Sequence, residues 1–338
     1  MWEGVDRLLD RLDPQLIGDH GLGPLAARRY RERGEELPER IFREERAARA
    51  GALVAPVLLA RVRNAYDGRL LLLKGPELTR RYPGGARTVS DLDVVAEDAE
   101  AAQAALLAAG FQEVADTPPL DYARHHHLHP LVWPGLALPI EVHRRPMWPA
   151  GLPEPSLREV FDAATPAELG VDGLLVPHRH HHALLVAAHA WGEVPMRKAR
   201  ELVDVLALVD DDERGELSEL ARRWRFERPW RKTLAAADWL LRGGSQPFFL
   251  HTWGRHLRNL REPTVLEMHL QEWLAPFSLA PPRTALRLSA AALLRDIRPQ
   301  GHENWSDKGR RAVRAALHPL AAKSSHEAGT KVRRRGAE

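Results

Sequence analysis

The spacing of apolar residues changes twice along the chain. Up to about residue 66 it is helical: Leu8, Leu9 and Leu12 form a short stripe, broken at Asp13-Pro14 and by the glycines from Gly18 to Gly23. From Glu36 to Arg63, Ile41, Ala47, Leu53, Val57 and Leu58 recur at roughly helical intervals and predict a longer helix. Then the period shortens. Arg69 to Lys74 is an apolar run closed by Gly75, which predicts a buried strand, and Leu78 to Tyr82 predicts one or two helical turns before a Tyr82-Pro83-Gly84-Gly85 loop. Thr88 to Val95 predicts a second strand. The Ala-rich stretch Glu97 to Ala109, stopped by Gly110, predicts an amphipathic helix. Phe111 to Val114, His125 to Val132 and Leu138 to His143 predict further strands, the last two separated by a Pro134-Gly135 turn.

From about Pro155 the pattern reads as helical again, over His178 to Trp191, Lys198 to Val209, Thr233 to Leu241, Thr264 to Leu274 and Pro282 to Leu294. The fold class expected is therefore α+β, a small mixed β-sheet with flanking helices followed by an all-helical domain. The expected divisions are a helical segment over 1–66 packing on the core, the sheet core over 67–150, the helical domain over 151–320 and a disordered basic tail over 321–338.

Composition narrows the chemistry. With 338 residues, 44% of them hydrophobic, the chain can bury a sizeable core in about two domains. It has no cysteine, which excludes disulfides, zinc–thiolate sites and a cysteine nucleophile, and fits a reducing compartment. The net charge is only +3, and the basic excess gathers in the final stretch KSSHEAGTKVRRRGAE, read as a solvated tail before a nucleic-acid contact. The first residues, MWEGVDRLLDRLD, lack the apolar stretch of a secretory signal, and no uncharged apolar run reaches the ~18 residues of a membrane span. A soluble cytoplasmic protein is expected.

The chemistry concentrates between residues 74 and 93. On a strand Asp91 and Asp93 project from one face, while Leu92 and Val94 face the core. Two carboxylates side by side clamp a divalent metal, the usual apparatus for phosphoryl or nucleotidyl transfer. Glu141 and His143 alternate with Ile140 and Val142, so on an adjacent strand Glu141 can reach the same face as a third acid. Gly75 permits close backbone approach to a phosphate, and Lys74 and Arg87 can neutralise one. The bland alternatives are solvated acids and surface ion pairs.

Two histidine runs, His125 to His127 with His129, and His178 with His180 to His182, invite a zinc reading. Adjacent residues on a strand or helix point apart, so neither run is expected to converge on one ion. His129 and His143 can instead face the acids across adjacent strands, and His189, on an apolar helix face, reads as a core histidine. The ten tryptophans, among them Trp224, Trp230 and Trp239, read as packing between helices.

This ordered set resembles the DNA polymerase β-like nucleotidyltransferase superfamily, and more closely a bacterial branch of uncharacterised nucleotidyltransferases. The resemblance rests on LLLLKG ending at Gly75, Arg87, Ser90-Asp91-Leu92-Asp93, Leu106 to Phe111, Glu141-Val142-His143, the His189 helix and the Lys198 to Asp204 helix, across roughly residues 50 to 245. It implies Asp91, Asp93 and Glu141 as catalytic residues and metal ligands, with Lys74, Gly75, Arg87 and Ser90 around the nucleotide. It further implies Mg2+ or Mn2+, a nucleoside triphosphate substrate, and transfer of the nucleoside monophosphate to a hydroxyl on a small molecule, peptide or protein, with release of pyrophosphate. Gly75 is followed by Pro76 where the superfamily usually has serine; proline offers neither hydroxyl nor N–H, which leaves Lys74 and Arg87 as the phosphate grip. The alternatives are a toxin–antitoxin type of nucleotidyltransferase acting on RNA or a partner protein, and a degenerate nucleotide-binding regulatory module.

Overall fold

A computed structural model describes residues 1–115, 122, 125–192, 194–261, 263–299 and 304–310. The expected basic tail at 321–338 lies outside the described residues.

Four helices come first: α1 (Trp2–Leu9), α2 (Pro14–Asp19), α3 (Gly23–Glu32) and α4 (Glu39–Ala65). The helical pattern breaks after Leu9, as expected near Asp13-Pro14, and the same pair also starts the next helix. The Asp13 carboxylate accepts the Leu16 N–H at 2.8 Å, and Pro14 occupies the first helical position, where its missing N–H costs nothing. The alternating region follows as β1 (Leu70–Leu72), α5 (Pro76–Thr79), β2 (Leu92–Ala96), α6 (Ala99–Ala108), β3 (Gln112–Glu113), β4 (Leu131–Val132) and β5 (Ile140–His143). Helix α6 is capped by the Asp98 side chain, which accepts the Ala101 N–H at 2.9 Å.

The sheet does not end where the second half was expected to turn helical. After α7 (Leu157–Asp162), β6 (Thr165–Pro166) and β7 (Leu174–Val176) join it, giving seven strands in the order β3-β4-β5-β2-β1-β7-β6. Strands of two or three residues are too short for alternation to declare itself, and Pro166 carries no ladder donor. The sheet is mixed: β2 runs parallel to β5 and antiparallel to β1, which runs parallel to β7. Helices then dominate, through α8 (Arg179–His189), α9 (Ala199–Leu206), α10 (Arg214–Arg223), α11 (Glu227–Arg242) and further helices to Pro282–Ile297.

Alternation on the central strands assigns the two faces. Leu70, Leu72, Leu92, Val94, Ile140 and Val142 pack with Leu58, Leu59 and Val62 of α4 and Ala102 and Leu106 of α6. On the opposite face, Leu71, Leu73 and Val95 join a core that includes Leu184 of α8 and Leu202 of α9. That second core also takes in Val5, Leu8, Ile17 and Leu25, so α1 to α3 are continuous with the helical half, while α4 packs on the sheet through Leu58, Leu59 and Val62. The polar residues of interest lie where the sheet meets α8 and α9.

Candidate active site between the sheet and two helices

Asp93 on β2 and Glu141 on β5 are directly paired across parallel strands. Asp91, just before β2, lines the same cavity of about 250 Å³, together with Lys74, Arg87, Thr88, Ser90, His126, His127, His143, Met147, His189 and Arg200. Asp93 is 4% exposed. The Lys74 ammonium stands 3.3 Å from its Oδ2, and His143 Nε2–H donates to its Oδ1 at 3.0 Å. His143 Nε2 also lies 3.6 Å from Glu141, so the imidazole bridges both acids. Asp93 Oδ2 and His143 Nδ1 are buried with no hydrogen-bond partner among the described residues.

The environment separates the two aspartates. Burial and the neighbouring Asp93 charge raise Asp91. Burial would raise Asp93 as well, but the Lys74 charge and the His143 hydrogen bond overcome it and hold Asp93 well below the usual carboxylate range. Burial alone would lower His143; Asp93 and Glu141 instead raise it to about 9. Carboxylates, a lysine and perturbed imidazoles in one cleft have the character of a catalytic centre.

A family model described as an uncharacterised nucleotidyltransferase matches residues 14–242. The chain belongs to this nucleotidyltransferase family. No curated protein and no solved structure matches it. The match takes in every residue lining the acidic cavity, from Lys74 to Arg200.

In this nucleotidyltransferase-family chain the cavity gathers Lys74, Arg87, Ser90, Asp91, Asp93 and Glu141 from the predicted set. Gly75 is not among its lining residues. With φ of 79° Gly75 adopts a left-handed turn that other residues rarely take, and Pro76 begins α5 behind it. The turn thereby places Lys74 at the end of β1. Arg87 borders the cavity, but its guanidinium is engaged: Nε and Nη2 donate to Asp204 at 2.7 and 3.0 Å, and Nη1 donates to the Thr88 carbonyl at 3.3 Å. Tyr82 donates to the same carboxylate at 2.5 Å. Arg87 therefore ties the loop before β2 to α9. Ser90 donates to Asp91 Oδ1 at 3.3 Å.

His143 faces the acids as expected, whereas His129 lies against Tyr122, with ring centroids 4.8 Å apart. His189, read as a core histidine, lines the cavity instead, and burial followed by the Lys74 charge pushes it down to about 3. The second histidine run diverges as expected. His180 turns towards Glu213 and Glu216, His181 packs on Trp224, and His182 donates to the Leu73 carbonyl at 2.5 Å. The first run does not diverge, since the ligand atoms of His125, His126 and His127 lie within 4.8 Å of one another. These residues are not in a regular strand; His125 and His126 form a bend, and only His127 bridges to β5.

Sequence reasoning missed Arg200. It lines the cavity from α9, its Nε is buried without a hydrogen-bond acceptor among the described residues, and its positive charge acts on Asp91. The adjacent Glu201 is pushed up to about 7 by burial. An Arg on a distant helix carries no local signal; only the Lys198 to Asp204 segment within the family pattern pointed to α9.

Proposed function

We propose that the protein transfers a nucleoside monophosphate from a nucleoside triphosphate to a hydroxyl acceptor and releases pyrophosphate, as a member of the DNA polymerase β-like superfamily. The observation that carries this reading is the convergence of Asp91, Asp93 and Glu141 with Lys74 and Arg200 in one cavity of a nucleotidyltransferase-family chain. The donor set fits a divalent metal: three carboxylates line one cleft, ligand atoms of Asp93, Glu141 and His143 lie within 4.8 Å of one another, and the buried Oδ2 of Asp93 has only the Lys74 ammonium, 3.3 Å away, beside it among the described residues. Mg2+ or Mn2+ bound there would neutralise phosphate oxygens and favour the ionised form of the acceptor hydroxyl. Asp91, Asp93 and Glu141 would hold it.

The acceptor oxygen attacks the α-phosphorus, the new O–P bond forms, and the bond to the β-phosphate bridging oxygen breaks in line. Glu141, more exposed than Asp93, would either complete the metal ligands or take the hydroxyl proton. Lys74 and Arg200 would meet the triphosphate oxygens, because Arg200 lacks a carboxylate partner among the described residues and Lys74 has only Asp93. Arg87 and Ser90 would border the nucleotide, with Arg87 holding the loop and Gly75 shaping the turn behind Lys74.

The test is incubation of the full-length protein with each α-labelled nucleoside triphosphate, Mg2+ or Mn2+, and candidate small-molecule, peptide, protein and RNA acceptors. Label transfer with stoichiometric pyrophosphate supports the reading, and the labelled acceptor names the substrate class. Nucleotide binding without turnover favours a regulatory module. Neither binding nor turnover with any nucleotide overturns both.

A further inference from the structure

The geometry points to a second metal site at the edge of the cleft, built from the imidazole nitrogens of His125, His126 and His127 and suited to a transition ion such as Zn2+ or Co2+. Three ligand nitrogens within 4.8 Å of one another can be bridged by a single ion. The rings are crowded, with centroids 4.1 Å apart for His125 and His126, 4.3 Å for His125 and His127, and 4.8 Å for His126 and His127. Rings this close repel as imidazoliums, but as neutral bases they can share a cation.

His127 supplies an independent observation. Its Nδ1 lies 2.6 Å from the Leu128 carbonyl oxygen. A carbonyl can only accept, so Nδ1 carries a proton and Nε2 is left as the available base. A ring nitrogen donating to a backbone carbonyl is the usual way a metal-binding histidine is oriented. His127 Nε2 then faces Glu141 Oε2 at 3.7 Å. A lone pair opposite a carboxylate is repulsive unless a proton or a metal ion lies between them. His126, whose ring centroid is 5.3 Å from that of His143, extends the imidazole set into the same cavity and has no ion pair among the described residues.

The two donor sets differ in kind. Carboxylate oxygens suit Mg2+ and Mn2+; imidazoles suit Zn2+, Co2+ and Ni2+. Among the described residues the other cluster outside the acidic site lacks this arrangement. In the His269, Glu272 and Asp296 group, Asp296 already accepts from His269 and Trp273, and Glu272 pairs with Arg295.

The inference does not depend on nucleotide transfer, and its test uses no nucleotide. Full-length protein without an affinity tag is stripped with chelator and titrated with Co2+, following the visible absorption of the bound ion, and with Zn2+ by calorimetry. Saturable binding with a nitrogen-rich Co2+ spectrum is expected. The His126→Ala, His127→Ala double variant should weaken it by at least about 10-fold, and Asp91→Ala by less than about 2-fold. If the double variant fails to fold by circular dichroism, His126→Gln alone, at a half-buried position, carries the same expectation. Unchanged Co2+ affinity in the histidine variants overturns the site, as does an affinity that Asp91→Ala abolishes while the histidine variants retain it.

Discussion

Asp93 sits among three groups that set its chemistry: the Lys74 ammonium, the His143 imidazole and the facing Glu141. Lys74 and His143 hold its carboxylate ionised, while Asp91, closer to the loop, is raised by burial and by the Asp93 charge. Arg200 opposes that charge from the other wall. Arg200→Ala should raise the KM for nucleoside triphosphate about tenfold, the order expected for one charge-assisted hydrogen bond, and change kcat less, as steady-state kinetics would check. The acids were legible because Asp-x-Asp spacing and an alternating Glu-Val-His strand bring side chains to one side, although the strand expected from Thr88 begins only at Leu92, so Asp91 reaches the cavity from the loop just before β2. Arg200 and the true partner of Arg87 were not, because each depends on where α9 docks more than a hundred residues further along the chain.

Helix α9 is the element that joins the two halves of the site. Its Asp204 accepts from Arg87 and Tyr82 in a buried cluster, while Arg200, one turn earlier, reaches the cavity. Asp204→Ala leaves the Arg87 guanidinium buried without its counter-charge. It should cost about 3–5 kcal/mol in denaturant unfolding, the range for breaking a buried pair from one side. Helix α4 makes a second close approach: a Cβ on Gly51 would stand 2.8 Å from the Val89 carbonyl oxygen, two residues before Asp91. Gly51→Ala should therefore destabilise the protein by about 1–3 kcal/mol and lower activity together with stability, read by thermal melts and turnover on the same preparation. The long helices and central strands were readable from periodicity. The short strands β6 and β7 and the helix begun by Asp13-Pro14 were not, because two or three residues carry no period and a turn signal can equally be a cap.

Across the whole molecule, the sheet and the helical half share a continuous apolar core, and several histidines are sealed into it neutral. His182, between α8 and the end of β1, is pushed down to about 4 by burial, against the Leu73 hydrogen bond that favours its charged form. Its folded pKa lies below the unfolded value, so the unfolded chain binds the proton first. Stability from neutral His182 is fully present above about pH 6.5 and is lost as pH falls through about 4, by about 3 kcal/mol from this residue alone. His20, lowered to about 4 mainly by burial, adds in the same direction. Denaturant midpoints should fall between pH 7 and pH 4, and His182→Gln should flatten part of that slope. Among the described residues no helix is long and apolar enough to cross a membrane.

The central claim is that Asp91 and Asp93 hold the catalytic centre of a nucleotidyl transfer. Its most direct test is pyrophosphate release from the preferred nucleoside triphosphate, compared between the wild-type protein and folded Asp91→Asn and Asp93→Asn variants. Release by the wild type, reduced at least about 100-fold in each variant, is the predicted result, since even outer partners of a metal site are worth 10- to 100-fold. Release that persists undiminished in both variants would contradict it.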